Sequence, residues 1–226
     1  MAQNIKLVIG NKNYSSWSLR PWLLLHAFKV DFEEINVSLR QPGLTKRLKE
    51  YSAAARVPVL IDGELVIWDS LAICETISDV YLAGSGWPED PTDRARARAI
   101  SAEMHSGFTA LRTELPMNCR ARRQVKLSYE AIADIKRIDE IWSAYAKTNG
   151  VNTGDTPEIR LFGGFSIADC FYAPVIMRFI TYGIELSDPA ARYLQSMADH
   201  PSLQEWIFQA LLETEEIAED EAGIGV

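Results

Sequence analysis

The sequence has few of the residues that build metal sites and disulfide frameworks. Its 226 residues include only three cysteines and three histidines. Cys74, Cys119 and Cys170 lie far apart and form no C-x-x-C pair, so a disulfide framework and a cysteine-based zinc site are both disfavoured. The histidines show no metal-ligand spacing either. We therefore expect reduced thiols, no metal and, by default, a cytoplasmic protein.

Long apolar runs and an excess of positive charge are also missing. The longest strongly apolar run, Trp22–Leu25, is far too short to cross a bilayer, and residues 1–10 lack a secretory pattern. Lys and Arg total 23 against 31 Asp and Glu, which gives a net charge of -8. Because a broad phosphate-binding surface needs a basic field, the sequence predicts no nucleic-acid partner. The shortness of its apolar runs predicts no membrane segment.

The first eighty residues alternate strand patterns with helix patterns. The predicted order is strand 5–9, helix 19–26, strand 32–39, helix 44–51, strands 57–61 and 64–68, and helix 71–81. Asp62-Gly63 between two apolar runs is a strong hairpin signal. Strands interleaved with helices imply an α/β unit with a crossover, which we assign to residues 1–82.

A Gly- and Pro-rich linker at 83–91 separates this unit from a helical second half. We find no convincing strand beyond it. Helices are predicted at 92–115, 120–147, 165–182, 189–197 and 202–217, with a stop at Asn149-Gly150 and a loop at 152–157. The acidic stretch 213–221 is expected to fray at the surface. The predicted fold class is thus α/β plus all-α, with an all-helical domain at 92–226.

Three short motifs have residue types suited to binding chemistry. Tyr14-Ser15-Ser16 lies between a strand and a helix, where a hydroxyl beside free helix N–H groups can donate to an anion. Helix capping by one of these serines is the simpler explanation. Val57-Pro58 opens a strand, and a cis bond there would expose backbone groups to a peptide-like ligand, although an ordinary trans proline is commoner. Asp69-Ser70 fits either a helix cap or a site for the ammonium and carboxylate of an amino acid.

Taken together, these elements resemble the cytosolic glutathione transferase superfamily over nearly the whole chain. The matching segments are NYSSWSLRPWLLL after the first strand, Val57–Leu60, Asp69-Ser70 and the S-I-A-D box at 166–169. The resemblance implies a thioredoxin-like N-terminal domain followed by an all-α domain. Within the superfamily the loop is similar to the serine-type classes, zeta and its bacterial relatives. It departs from the zeta signature at Trp17, where that signature has cysteine.

The resemblance also implies roles for the serine loop. Ser15, with Ser16 beside it, falls on the family's catalytic position, where it would activate the thiol of glutathione as a cosubstrate. Tyrosine-type members place their phenol close to where Ile9 and Gly10 stand, so Tyr14 is not that residue. The function expected is glutathione S-transferase activity on a small hydrophobic electrophile.

The glutathione-binding residues follow from the same resemblance. Pro58 matches the family's cis-proline, and Val57 would bond the cysteinyl backbone. Asp69 and Ser70 match the pair that holds the γ-glutamyl end. The usual Asn-Pro-x-Gly is replaced by Ser52–Arg56, so the partner of the glycyl carboxylate is open among Lys46, Lys49 and Arg56.

An electrophile pocket is expected from the helical half. Its candidate residues are Tyr14, Met104, His105, Phe108 and Arg112. Bundle core or dimer interface explains the apolar members equally well, while the two polar ones favour a pocket.

The alternatives to conjugation are a cis-trans isomerase of the maleylacetoacetate type and a non-catalytic interaction module. The resemblance further implies a homodimer and a role in detoxification.

Overall fold

The computed structural model describes residues 5–148 and 158–225. Its first part alternates strands and helices in the predicted order. The elements are β1 (Ile5–Gly10), α1 (Ser16–Ala27), β2 (Glu33–Val37), α2 (Leu44–Lys49), β3 (Val59–Asp62), β4 (Leu65–Trp68) and α3 (Ser70–Tyr81). The predicted hairpin is confirmed, with Gly63 at φ 60° in the turn between β3 and β4.

The four strands form one mixed sheet in the order β2-β1-β3-β4. β1 and β2 are parallel, with Val8 opposite Ile35, because α1 crosses between them. β1 and β3 are antiparallel, with Leu7 opposite Leu60, and β4 pairs antiparallel with β3. This is the α/β unit that the sequence pattern predicts, in the thioredoxin-like arrangement that the resemblance implies.

The second part is mainly helical. Its helices are α4 (Pro91–Ser106), α5 (Thr109–Glu114), α6 (Tyr129–Tyr145), α7 (Ile167–Tyr182), α8 (Asp188–Ala198) and α9 (Pro201–Leu212). The prediction that it holds no strand is wrong. Four short strands, β5 (Arg123–Gln124), β6 (Ala146–Thr148), β7 (Ile159–Leu161) and β8 (Ile224–Gly225), form the antiparallel pairs β5–β8 and β6–β7. The predicted stop at Asn149-Gly150 and loop at 152–157 lie outside the described residues.

Three predicted helices are shorter in the structure, among them the one expected over 202–217, which ends at Leu212. The helix expected over 92–115 breaks at Gly107-Phe108, where Phe108 takes a left-handed φ of 56° and α4 ends. Arg112 satisfies that helix end by donating from Nη1 to the carbonyls of Met104, His105 and Gly107. The helix expected from 120 begins only at Tyr129, after Ser128 caps it.

The acidic tail after α9 does not fray, contrary to prediction. The Glu213 carboxylate accepts from the backbone N–H groups of Lys12 (2.7 Å) and Asn13 (3.0 Å). Arg120 donates to the carbonyls of Glu213 and Glu215. The tail therefore lies along the loop between β1 and α1, because its carboxylates and carbonyls satisfy donors that the sequence pattern does not reveal.

One hydrophobic core runs from the sheet through α1 and α3 into the helical part. Helix α7 is buried along most of its length and packs against α1 and α4. A smaller cluster covers the other face of the sheet, around Val8 and Val59. The start of α1 thus lies where the two parts of the chain meet. In the part of the chain that the structure describes, no helix combines the length and apolar character needed to span a bilayer.

Candidate functional site

Two adjoining clefts lie where the sheet meets the helices. The first has a volume of about 570 Å³ and is called here the proline cleft; its lining residues are Trp17, Ala54, Arg56, Val57, Pro58, Trp68, Asp69 and Ser70. The second, of about 480 Å³, is called the arginine cleft; it is lined by Ser16, Trp17, His105, Ser106, Thr109, Arg112, Thr113 and Arg178. Trp17 lines both clefts, so its indole forms the wall between them.

The proline cleft brings together five residues predicted to bind glutathione: Arg56, Val57, Pro58, Asp69 and Ser70. The Val57-Pro58 bond is cis and immediately precedes β3. Among the described residues, the backbone N–H and C=O of Val57 have no hydrogen-bond partner. An unpaired donor and acceptor beside each other in a cleft suit a ligand with a peptide backbone.

Asp69 has two contacts that fix its carboxylate at the start of α3. Its Oδ1 accepts from the backbone N–H groups of Leu71 (2.8 Å) and Ala72 (3.2 Å), so the capping role weighed from the sequence is confirmed. Its Oδ2 lies 3.1 Å from Nε2 of His105 on α4. Asp69 thereby links the proline cleft to the arginine cleft through a direct side-chain contact.

Ser70 stands beside Asp69 and is almost fully buried. The guanidinium of Arg20 donates from Nη1 to its hydroxyl at 3.2 Å. Arg20 is 2% exposed, and burial lowers its pKa to about 9, with the nearby Arg112 acting in the same direction. The positive charge of Arg20 next to the Ser70 hydroxyl favours binding of an anionic group at Ser70 in the proline cleft.

The serine loop offers two different hydroxyls. Ser15 is buried, and its Oγ donates to Ser18 Oγ at 2.7 Å, which in turn accepts from Gly10 N at 3.2 Å. Ser16 is the first residue of α1, is half-buried and lines the arginine cleft. Ser15 is thus held inside the loop, whereas Ser16 faces the open volume.

The arginine cleft has a cationic wall. Arg178, on α7, is 5% exposed, and burial lowers its pKa to about 10. Burial also lowers the pKa of Arg112, whose guanidinium carbon lies 4.4 Å from the Trp17 ring centroid. Desolvation lowers the pKa of His105 as well, partly opposed by the nearby carboxylate of Asp69. Trp17 is the one large apolar side chain of the lining.

The structure places the other predicted site residues elsewhere. Met104 and Phe108 are buried in the core and do not line the arginine cleft, the alternative that the sequence left open. Tyr14 turns towards the tail, where its hydroxyl donates to Glu221 at 2.6 Å and accepts from Arg120. Lys46 is exposed on α2 and lies outside both linings.

Sequence reasoning missed four residues of this region. Trp17 and Trp68 line the clefts, Arg178 lies on the cationic wall and Arg20 supports Ser70. The sequence does contain a signal for Arg178. A single arginine within the apolar pattern of α7 needs either a polar partner or access to a cleft. The signal for Arg20 was the same, since it interrupts an apolar run in the α1 sequence.

Comparison with known proteins agrees with this arrangement. The family described as "Glutathione S-transferase, N-terminal domain" matches residues 14–80, which include the serine loop, cis-proline and Asp69-Ser70. A solved Burkholderia glutathione transferase homolog with bound glutathione superposes with a TM-score of 0.68 at 24% identity, covering 92% of this chain and 98% of the other. Residues 14–80 thus match the N-terminal domain of glutathione S-transferases, and the described chain has the fold of solved glutathione transferases.

One further solved structure shares the fold, and two curated proteins are similar to part of the chain. A diazinon-metabolizing glutathione S-transferase of Bombyx mori superposes with a TM-score of 0.68 at 19% identity over 92% of this chain and 97% of the other. A "Probable maleylacetoacetate isomerase" of Caenorhabditis elegans is 37% identical over 108 residues, 48% of this chain and 50% of that protein. "Glutathione S-transferase U14" of Arabidopsis thaliana is 31% identical over 107 residues, 43% of this chain and 42% of the other. The chain spans half or less of the length of these curated relatives.

Proposed function

We propose that this protein is a glutathione transferase that activates glutathione as a thiolate and presents it to an electrophile in the arginine cleft. The observation that carries the proposal is the meeting of two clefts at the serine loop. One cleft offers the unpaired backbone of Val57 beside Asp69 and Ser70, and the other opens at Ser16. A sulfur held between them would reach a second substrate without leaving its site.

Glutathione binding would use the groups of the proline cleft. Val57 would pair with the cysteinyl backbone, and Ser70, backed by Arg20, would receive the γ-glutamyl carboxylate. Asp69 would hold the γ-glutamyl ammonium with the oxygen that also contacts His105. Arg56 lines this cleft and Lys46 does not, so we assign the glycyl carboxylate to Arg56.

Thiol activation would combine a hydroxyl with a helix terminus. A free cysteine thiol has a pKa of about 8.5, so glutathione is mostly protonated at neutral pH. The N-terminus of the twelve-residue helix α1 contributes partial positive charge, and a hydroxyl donating to sulfur adds a charge-assisted bond. We assign that donor to Ser15, whose hydroxyl would turn from Ser18 to the thiolate, and give Ser16 the side facing the electrophile.

Substitution of the two serines tests this assignment. Ser15→Ala should lower kcat by about 10- to 100-fold, because a hydrogen bond to a charged group contributes about 1.5–3 kcal/mol. Glutathione affinity should stay within about twofold, since the cleft contacts remain. Steady-state turnover of chlorodinitrobenzene and calorimetric binding of glutathione would measure both. Ser16→Ala is the matched control and should mainly raise KM for the electrophile; the reverse pattern would assign activation to Ser16.

A cis-trans isomerase is the second candidate. The Caenorhabditis elegans relative, described as a probable maleylacetoacetate isomerase, favours it. In that reaction the thiolate adds to a conjugated double bond, rotation follows, and the sulfur leaves again. Trp17 stands where the zeta signature has cysteine, and we therefore rank isomerisation below conjugation.

An interaction module that does not bind glutathione would pass through a glutathione affinity column unretained.

Assembly and location stay predictions. We propose a homodimer and a detoxification role from the family resemblance, and a cytoplasmic location from the few, widely spaced cysteines. Glutathione is the proposed cosubstrate, and the proposed chemistry needs no metal.

A further inference from the structure

Two arginines line the arginine cleft and a third contacts its Trp17 wall, all without a carboxylate partner among the described residues. Arg20, Arg112 and Arg178 form no ion pair with any acidic side chain within residues 5–148 and 158–225. We propose that the electrophilic second substrate is an anion, and that its carboxylate is bound by Arg112 and Arg178. This inference rests on the proposed function and specifies its substrate class.

Arg178 is the strongest indication of a built anion site. Its side chain is buried in α7 yet lines the cleft. Nη1 donates to the backbone carbonyls of Arg112 (3.2 Å) and Leu115. Its Nε is buried and has no partner among the described atoms. That Nε lies out of reach of the cleft, but Nη2 makes no hydrogen bond to the described residues and is not fully buried, so it is the donor that a carboxylate in the cleft would engage.

Arg112 faces the same volume from α5. Its Nη1 is committed to three backbone carbonyls at the end of α4, which fixes the guanidinium in place. Its carbon stacks on Trp17, and Arg20 lies 4.2 Å from the centroid of the same ring. Two fixed guanidinium groups therefore hold the wall between the clefts, and planar guanidinium forks are suited to carboxylates.

The nearby carboxylates leave positive charge uncompensated. Asp69 is engaged by two helix N–H groups and His105. Asp220, in the tail, acts on Arg178 from a distance, and burial raises its pKa. In a chain with a net charge of -8, a cleft lined by two arginines and by no carboxylate is a local exception. Such a wall attracts an anionic ligand and excludes a cationic one.

The carboxylates of glutathione do not account for this wall. Arg112 and Arg178 line the arginine cleft and are absent from the lining of the proline cleft. Arg20 is the cation that serves the proline cleft, through Ser70. Two arginines thus remain for the second substrate after glutathione is bound.

A matched pair of unreactive ligands tests the inference on the wild-type protein. Nitrohippurate and its methyl ester have the same aromatic group and differ in one charge. With the protein saturated by S-methylglutathione, calorimetry should show the acid binding at least about tenfold more tightly than the ester. Equal affinity, tighter binding of the ester, or no binding of either at millimolar concentration would overturn the inference. Competition between the acid and S-methylglutathione would also overturn it, since the arginines would then serve glutathione.

Variants locate the charge that is responsible. Arg112→Gln should reduce the preference for the acid by about tenfold, while Arg112→Lys should retain part of it. Arg137→Gln is the control, because it removes the same charge from an exposed ion pair with Glu103 on the surface. An unchanged preference in a folded Arg112→Gln protein would contradict the proposal. Failure of the protein to bind S-methylglutathione would instead refute the proposed function, and the acid–ester comparison would then be made on the free protein.

Discussion

Arg20 shows how one buried charge can organise the site. Its guanidinium carbon lies 4.2 Å from the Trp17 ring centroid and 4.5 Å from that of Phe171, while Nη1 reaches Ser70. Cation–π contacts become stronger when the cation is desolvated. Arg20 therefore fixes Trp17, which divides the clefts, and Ser70, which lies in the proposed glutathione site.

His200 gives the protein a pH-dependent stability. Its Nδ1 caps α9 by accepting from Ser202 N at 3.2 Å, its ring stacks on Phe165, and burial lowers its pKa to about 4. Because the unfolded imidazole titrates near pH 6.5, the unfolded state binds the proton more readily between these values. Stability should be complete above pH about 6.5 and fall by up to about 1.4 kcal/mol per unit as pH drops towards 4.

Urea unfolding at several pH values measures this effect. His200→Asn keeps a capping acceptor without the titrating ring and should flatten the acid slope. The same slope in His200→Asn as in the wild type would contradict the assignment.

The site could be predicted from sequence only where its residues form local motifs. Ser15, Pro58 and Asp69-Ser70 each belong to a short pattern at a strand or helix end, and the structure brings these patterns to one region. The engagement of Ser15 by Ser18 was not predictable, because the sequence does not show which hydroxyl turns inward. The contribution of Arg178 requires the packing of α7 against the remainder of the bundle, which no local pattern contains.

At the scale of elements, the tail after α9 has a structural role. Its carboxylates bind the loop between β1 and α1, which lies directly before the serines. Glu213 accepts from two backbone N–H groups of that loop, at Lys12 and Asn13, both of which are buried residues. The tail thus supports the conformation of the loop on which the proposed chemistry depends.

Removal of that carboxylate should destabilise the fold. Glu213→Ala leaves two buried donors unpaired and should lower the free energy of unfolding by about 1–3 kcal/mol. Glu216→Ala is the control, because that side chain is exposed and only its backbone carbonyl accepts a contact, from Arg40; its effect should stay within about 0.5 kcal/mol. Equal stability of the two variants in urea unfolding would show that the tail does not support the loop.

The first part of the fold was predictable because its alternation and turns are local signals. The Asp62-Gly63 hairpin and the order of strands and helices both follow from periodicity. The wrong helix boundaries lie in the helical part. There the apolar pattern of the sequence continues across positions at which tertiary contacts end a helix. Helix α4 ends at Gly107-Phe108 because Arg112 binds its terminal carbonyls, and the short strands pair across distant segments such as 123–124 and 224–225.

At the scale of the whole molecule, one continuous core joins the sheet to the helices. Helix α1 packs against α3 on one side and against α7 and α9 on the other. The proposed sulfur site at its N-terminus is therefore built by both parts of the chain. The division into domains at 1–82 and 92–226 stays a prediction, since the core crosses it.

The central claim is that this fold holds glutathione and activates its sulfur. An ultraviolet difference spectrum of the purified protein, titrated with glutathione near neutral pH, reports the thiolate directly. The account predicts a saturable thiolate band that is strongly reduced in Ser15→Ala while calorimetric binding persists. Saturable binding without a thiolate band, or no binding at all, would contradict it.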